Sequence, residues 1–431
     1  MTDTIATLSL SISTRTIRKL RLRLLPFIFI LYVLAYLDRI NIGFAALTMN
    51  RDLGFSPSVF GFGAGIFFIS YALFQLPGTL MLQRLGARRS LFIILVAWGA
   101  VSASCALVRT TASFYLLRFL LGVAESGFFP GMIFYLTLWF PKSYTARFLA
   151  AFMTAGPLAF ILGAPLSSLI LQTDGLARLS GWQWLFLLEG LPACLLAFAV
   201  LLLLPDGPAH ARWLSPDEKA LHAASLAIDD ANKTRALWPA LRNPRVIALA
   251  FASGGMVAAM YGYQIWLPQI VQAMGYSIFM TGILSALPFV VGIVGMVLWG
   301  RASDRAGERI WHTMVPALTA ASGFLIAAFT PVNGIALAAF GLVTFGIFSA
   351  NTVCWTIPSS FLSGPAAAGA IGLINAINSM SAFFGSAMMG ILKEKTGGYA
   401  AGMSALAFGL IFSSAIILML GRSLAPSPKP A

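Results

Sequence analysis

Twelve times between residues 24 and 421 the chain runs through about 20 mostly apolar residues and then breaks into a loop that carries its charges. A helix of that length, rising ~1.5 Å per residue, matches the ~30 Å hydrocarbon core of a bilayer. No water satisfies backbone N–H and C=O groups there, so a spanning segment must be a helix or part of a closed barrel. The runs are about twice as long as barrel strands. The expected fold class is therefore an all-α membrane protein with spans near 24–47, 59–82, 90–108, 112–140, 148–171, 182–204, 246–270, 279–299, 311–330, 333–358, 366–392 and 398–421. The tenth has the least definite end, because AsnThrValCysTrpThrIleProSerSer is polar and contains Pro358. With 59% hydrophobic and 10% charged residues, the chain lies outside the soluble range, in which roughly 25% of residues are charged.

A net charge of +14 raises the question of nucleic acid, and the placement of the basic residues argues against it. If both termini are cytoplasmic, 21 of the 28 Lys and Arg fall in cytoplasmic segments, five outside and two (Arg39 and Arg118) within spans. That alternation is the positive-inside pattern, so basicity here describes topology. The N-terminal basic residues followed by an apolar run superficially resemble a secretory signal. No small-residue cleavage site follows and the run is long, so it reads as a retained first span. Cys105, Cys194 and Cys354 are scattered through apolar spans without metal spacing, and His210, His222 and His312 lie in or beside loops.

The longest polar interval, about 205–245, divides the spans six and six. Within it SerProAspGluLysAlaLeu carries the signals of a short surface helix: a Ser cap, Pro at the first helical position and acids in the first turn. The expected organisation is a six-helix bundle over 1–204, a cytoplasmic linker over 205–245 and a second six-helix bundle over 246–431. A repeat supports it. ThrLeuMetLeuGlnArgLeuGlyAlaArg (79–88) aligns with GlyArgAlaSerAspArgAlaGlyGluArg (300–309), matching Arg84, Gly86 and Arg88 to Arg305, Gly307 and Arg309. Two pseudo-symmetric halves of this kind form transporters that bind substrate near the midplane between them.

The intramembrane charges are the candidate machinery. An ionised side chain at the centre of a spanning helix costs at least ~2.5 kcal/mol on insertion scales, so such residues by default mark a polar pathway. Asp38 and Arg39 stand side by side in span 1, about 100° apart around the helix. Both can face a central cavity only from its edges. Asp38 shares its face with Asn41, and Arg39 shares its face with Tyr36. In span 4, Arg118, Leu121, Gly122, Glu125 and Phe129 form one stripe, with Arg118 about 10 Å along the axis from Glu125. An acid that alternates between a low-dielectric site and an Arg neighbour can take up and release a proton. Glu189 in span 6 reads instead as helix packing, bonded to a neighbour. Further polar candidates on expected cavity helices are Tyr71 and Gln75, Tyr261 and Gln264, Asn351, Thr352 and Trp355, and Asn375 and Asn378.

The chain resembles the major facilitator superfamily in its Gly-x-x-x-AspArg-x-Gly-x-Arg loop. That motif is intact at Gly300, Asp304, Arg305, Gly307 and Arg309, while Gln83 replaces the Asp in the first copy. It more closely resembles the superfamily's anion:cation symporter family, in wording nearest the bacterial tartrate and phthalate permeases. The matching segments are TyrLeuAspArgIleAsnIleGlyPheAla (36–45), ArgPheLeuLeuGlyValAlaGluSerGlyPhePheProGly (118–131), LeuTrpPhePro (138–141), ProAspGlyProAlaHisAlaArgTrpLeu (205–214) and TrpThrIleProSerSerPheLeuSerGly (355–364). The resemblance implies that Asp38 and Glu125 carry the coupling proton and that Arg39 binds a substrate carboxylate. It also implies that Tyr36, Tyr71, Trp355 and Asn375 contact substrate, and that the two repeated loops gate the conformational change. One departure is span 5, where sugar-acid members place a Gln and this chain offers only Thr154 before the serines near the end of the span. That favours a compact or aromatic acid over a long polyhydroxy acid.

The expectation is thus a proton-coupled importer of a small organic anion, with tartrate or an aromatic acid as examples. It would lie in the inner membrane as a monomer, with protons as coupling ion and no other cofactor or metal. An exporter or antiporter of the same anions is the alternative, and a membrane sensor lacks a signalling domain in the short linker. No nucleophile–base pair points to an enzyme, and no GlyLysSer/Thr phosphate loop points to ATP. GlyPheGlyAlaGly (61–65) lies within span 2, where small residues let helices approach. GlyPro at 156–157 and AlaPro at 164–165 are expected to bend span 5.

Overall fold

The computed structural model describes residues 2–140, 148, 152, 154–220, 242–358 and 364–424. The helices of the first half are α1 (Thr2–Leu53, with its membrane span from Thr16), α2 (Pro57–Leu85), α3 (Ala87–Ser104), α4 (Thr111–Glu125), α5 (Phe128–Trp139), α6 (Ala155–Ile170) and α7 (Gly181–Leu203). Those of the second half are α8 (Pro244–Ala273), α9 (Ile278–Ala306), α10 (Ile310–Phe329), α11 (Asn333–Cys354), α12 (Gly364–Thr396) and α13 (Ala400–Leu424). With α4 and α5 counted as one crossing, the described residues contain 12 helices long and apolar enough to span a bilayer.

Two expected spans differ in detail. The fourth is not one helix: α4 stops at Glu125 and α5 starts at Phe128, with a turn at Ser126 and Gly127 between them. Pro130 explains the break, because it has no N–H for the Ser126 carbonyl and its ring would clash there. The tenth ends at Cys354, four residues short of Pro358, since the residue before a proline is pushed out of the α region. In the linker a helix starts at Pro216 as expected. Ser215 Oγ accepts from the Glu218 N–H at 3.2 Å and Glu218 returns the bond from the Ser215 N–H at 3.0 Å. The rest of that helix lies outside the described residues.

Two six-helix bundles meet along α2 and α12, α6 and α9, and α1 and α8. Small residues permit this. A Cβ on Gly390 would lie 2.3 Å from the Pro57 carbonyl, and one on Gly282 would lie 2.5 Å from the Ala164 carbonyl, so any larger residue would push the bundles apart. The contacts crowd toward one face of the membrane. Asn50 Nδ2 donates to Gln269 Oε1 at 3.4 Å, Ser386 Oγ to the Gly61 carbonyl at 3.1 Å, and Ser56 Oγ to Glu394 Oε2 at 2.7 Å. The Ser58 N–H also donates to Glu394 at 2.9 Å, so an acid of the second bundle caps the N-terminus of α2 in the first. Deeper in, Phe160 stacks on Phe289 at 3.8 Å and Phe68 meets Tyr261 at 4.5 Å between ring centroids. Phe68 and Tyr261 also line a cavity between the bundles.

Candidate functional site

The cavity has a volume of ≈ 130 Å³ and is walled by both bundles. Tyr32, Tyr36 and Arg39 come from α1, Phe67, Phe68, Tyr71 and Gln75 from α2, and Phe129 from α5. The facing wall is Val257, Met260 and Tyr261 of α8, Asn351 and Trp355 at the end of α11, and Asn375, Asn378 and Ser379 of α12. Arg39 lies 14 residues before the end of α1, about 20 Å along the axis and so near mid-membrane.

Arg39 is the single charged residue in this wall among the described residues. Its Nε and Nη2 both grip Glu125 Oε2, at 2.8 and 2.7 Å, while Glu125 Oε1 is buried without a partner. Three rings surround the guanidinium: Tyr71 at 4.9 Å, Phe67 at 5.6 Å and Tyr36 at 5.7 Å from ring centroid to Cζ. Glu125 is fully buried, whereas the Arg39 side chain keeps 12% exposure. The cation therefore faces the cavity and its counter-ion stands behind it, at the α4–α5 break. Across the gap, Ser253 Oγ donates to Asn378 Oδ1 at 2.8 Å, which leaves the Asn378 amide nitrogen available to an occupant.

Asp38 does not share the cavity. It points into the first bundle, fully buried, where Oδ2 accepts from Trp98 Nε1 at 2.8 Å and Oδ1 accepts from Asn41 Nδ2 at 3.2 Å and from the Ser102 hydroxyl. The 100° between adjacent helix positions separates the pair, with Arg39 toward the cavity and Asp38 toward α3. Two of the polar candidates expected on cavity helices, Gln264 and Thr352, also stand outside the wall, and Asn41 and Arg118 lie within the first bundle. Asn41 serves Asp38, and Gln264 is 3% exposed within the packing of α8. Thr352 bonds back to the Phe348 carbonyl at 2.8 Å. Arg118 is 2% exposed, 5.2 Å from the Phe67 ring, with one long 3.4 Å bond to the Ala64 carbonyl. Glu189 takes the packing role read for it, accepting from Ser167 Oγ at 2.7 Å.

Several residues at the site were missed by sequence reasoning. Tyr32, Phe67, Phe129, Met260 and Ser379 line the cavity, and most read as ordinary apolar span residues. Trp98 and Ser102 left a signal: four residues apart, they place two donors on one face of span 3.

The repeated loops take different partners. Gly86 and Gly307 both turn with positive φ, 80° and 64°, which glycine tolerates. In the second copy Arg309 pairs with Asp304 of its own motif at 2.8 Å and reaches Ser303 at 2.9 Å. In the first, where Gln83 replaces the Asp, Arg88 reaches the Leu201 carbonyl and Asp206, 3.6 Å away, at the start of the linker. Arg84 and Arg305 are exposed, and Gly300 lies beside Thr352. Burial alone would raise the Glu308 carboxyl, but bonds from His312 and from the N–H groups opening α10 hold it below the usual range.

Two six-helix bundles around a mid-membrane cavity with one cation define a membrane transporter rather than an enzyme. Residues 28–386 match the Major Facilitator Superfamily, and the chain belongs to it. It is 44% identical over 421 residues to a protein of Agrobacterium vitis named "Putative tartrate transporter", covering 97% of this chain and 93% of that one. It is 40% identical over 415 residues to the "Quinolone resistance transporter" of Acinetobacter baumannii, covering 94% and 96%. Among solved structures, a bacterial homologue of the human lysosomal transporter Spinster, inward-facing and unoccupied, shares the fold with a TM-score of 0.77 at 17% identity, over 93% of this chain and 96% of that one.

Proposed function

We propose that this protein is a proton-coupled symporter of the anion:cation symporter family, importing a small organic anion by alternating access. The observation that carries the reading is the shared guanidinium: the single cation of the cavity wall is held by a buried acid with no other partner. An incoming carboxylate and Glu125 compete for Arg39. When substrate takes the guanidinium, Glu125 is left as an uncompensated buried charge, a state that costs several kcal/mol unless a proton arrives. When Glu125 loses that proton it reclaims Arg39 and expels the anion. Proton and anion are thereby exchanged at one side chain. Asp38 is the second proton site, acting from within the first bundle.

Tyr36, Tyr71, Trp355 and Asn375 contact the substrate, with Gln75, Tyr261, Asn351 and Asn378 in support. The substrate is a hydroxy- or dicarboxylate such as tartrate, the class in the name of the Agrobacterium vitis relative, or an aromatic acid. The ring-rich wall favours a compact or flat anion, and Tyr261, Trp355, Ser379 and three amides face it from the second bundle. Residues 1–204 and 246–431 are the moving units and 205–245 the linker. The protein lies in the inner membrane as a monomer with both termini cytoplasmic. Arg84, Gly86, Arg88, Gly300, Asp304, Arg305, Gly307 and Arg309 are the gating loops. An anion of charge −1 gains nothing from an inside-negative potential unless more than one proton accompanies it, since each charge is worth about 2.3 kcal/mol per 100 mV. Two proton sites allow that ratio. Export of the same anions is the second reading, favoured by the name of the Acinetobacter baumannii relative.

Proteoliposomes carrying the purified protein test this. Tartrate, other dicarboxylates and aromatic acids are offered with an acid-outside gradient and then with the gradient reversed. The expected result is accumulation of at least one anion with the gradient, lost in Glu125→Gln while counterflow exchange persists. Accumulation only when protons exit would establish export, and full pH-driven uptake in Glu125→Gln would remove Glu125 from coupling.

A further inference from the structure

Among its described residues the first bundle buries three acids, Asp38, Glu125 and Glu189, and one cation, Arg118, while Arg39 stands at the cavity wall. A buried acid without a cation or enough donors beside it favours its protonated form. Hydrogen bonding discriminates between the acids. Asp38 accepts from three donors, the ionised arrangement. Glu125 accepts twice from Arg39. Glu189 receives only the Ser167 hydroxyl, and its Oε2 is buried without a partner.

The neighbours of Glu189 are Ser167 from α6, Asn41 and beyond it Asp38 from α1, and Ser102 of α3, which packs against Gly190. No Lys or Arg is among them. Asn41 gives its Nδ2 to Asp38, while its Oδ1 is buried with no donor. Two orphaned acceptors, Glu189 Oε2 and Asn41 Oδ1, thus lie on α7 and α1, helices that pack together. A buried acceptor left without a donor is destabilising. One proton resolves both.

We infer that Glu189 is a third proton-carrying residue of this transporter, holding its proton on Oε2 toward Asn41 Oδ1 and exchanging it with Asp38 through the Asn41 amide during transport. The exchange moves two protons: the Glu189 O–H bond breaks as Asn41 Oδ1 gains its proton, an Asn41 Nδ2–H bond breaks as Asp38 gains that proton, and Asn41, left as its imidic-acid tautomer, returns to the amide when both transfers reverse, with nothing oxidised or reduced. The site is placed to link protonation to conformation. Ser168, next to Ser167, packs against Gly282 of α9, where the two bundles meet. The exchange role rests on the proton-coupled reading above, whereas the resident proton does not.

Infrared difference spectroscopy of the reconstituted full-length protein separates the two. The wild type is expected to show a protonated-carboxyl C=O band that Glu189→Gln removes and that Asn41→Leu, which takes away the proton's acceptor, shifts in frequency. Glu189→Gln keeps an amide donor for Asn41 and should melt within a few degrees of wild type. Its uptake is expected to lose at least 5-fold of its pH dependence, with Glu189→Asp restoring part of it. A band unchanged in Glu189→Gln overturns the resident proton. A band lost with a wild-type pH profile overturns the exchange. If the wild type itself takes up no anion in response to a proton gradient, the band still reports on Glu189, and the failure belongs to the symport reading.

Discussion

The two bundles repeat one architecture and divide its chemistry. Among its described residues the first buries four charged side chains, Asp38, Arg118, Glu125 and Glu189, and half-buries a fifth, Arg39. In the second, the buried polar side chains within the membrane are uncharged among the described residues: Ser253, Gln264, Thr281, Ser285, Thr344, Ser349, Asn378, Ser386, Ser413 and Ser414. Charge is expensive to bury, and grouping it in one bundle lets each charge offset another. The neutral bundle can then close on the substrate through amides and rings without carrying a charge of its own across the low-dielectric interior. The loops repeat the asymmetry. The second copy is satisfied by its own Asp304, while the first spends Arg88 on the linker because Gln83 cannot pair with it.

This division can be broken most severely at Arg39. Arg39→Ala removes the only cation of the cavity wall among the described residues and strands Glu125, so anion affinity is expected to fall at least 100-fold in a thermal-shift or calorimetric titration. Arg39→Lys should recover little, because a point charge cannot hold Glu125 and substrate through separate nitrogens. Wild-type affinity in Arg39→Ala would place anion recognition outside the first bundle.

A smaller effect is expected from the facing wall. Asn375→Leu removes a neutral hydrogen bond, worth ~1 kcal/mol or about 5-fold in Kd, and should leave the pH dependence of uptake unaltered. A change in pH dependence would mean that the second bundle shares in coupling.

The smallest effect should come from Glu394, the one acid of the second bundle that grips the first. Glu394→Gln weakens a helix cap without touching the cavity. It should shift the conformational balance away from closure at Ser56 by a few-fold, read as faster thiol labelling of an Asn50→Cys reporter. Unchanged labelling would leave closure to the remaining contacts between the bundles, Ser386 on the Gly61 carbonyl and the rings around Phe160 and Phe289.

The amino-acid sequence by itself determined the twelve crossings, because span length and charge placement are local consequences of the bilayer, and no tertiary contact is needed to read them. It also singled out Asp38, Arg39 and Glu125, because a charge within an apolar run is conspicuous wherever it points. Direction was another matter. Helical spacing separated Asp38 from Arg39 by angle, but only packing against Trp98 and Ser102 decided that Asp38 turns inward and Arg39 toward the cavity. The aromatic wall of Tyr32, Phe67 and Phe129 was illegible for the same reason, since an apolar residue in a membrane helix looks alike toward lipid, neighbour or substrate. Likewise the pairing of Arg39 with Glu125, 86 residues away, exists only where α1 meets the α4–α5 break. Which residues are costly to bury is written along the chain; which of them offset one another depends on distances that only the assembled helices set.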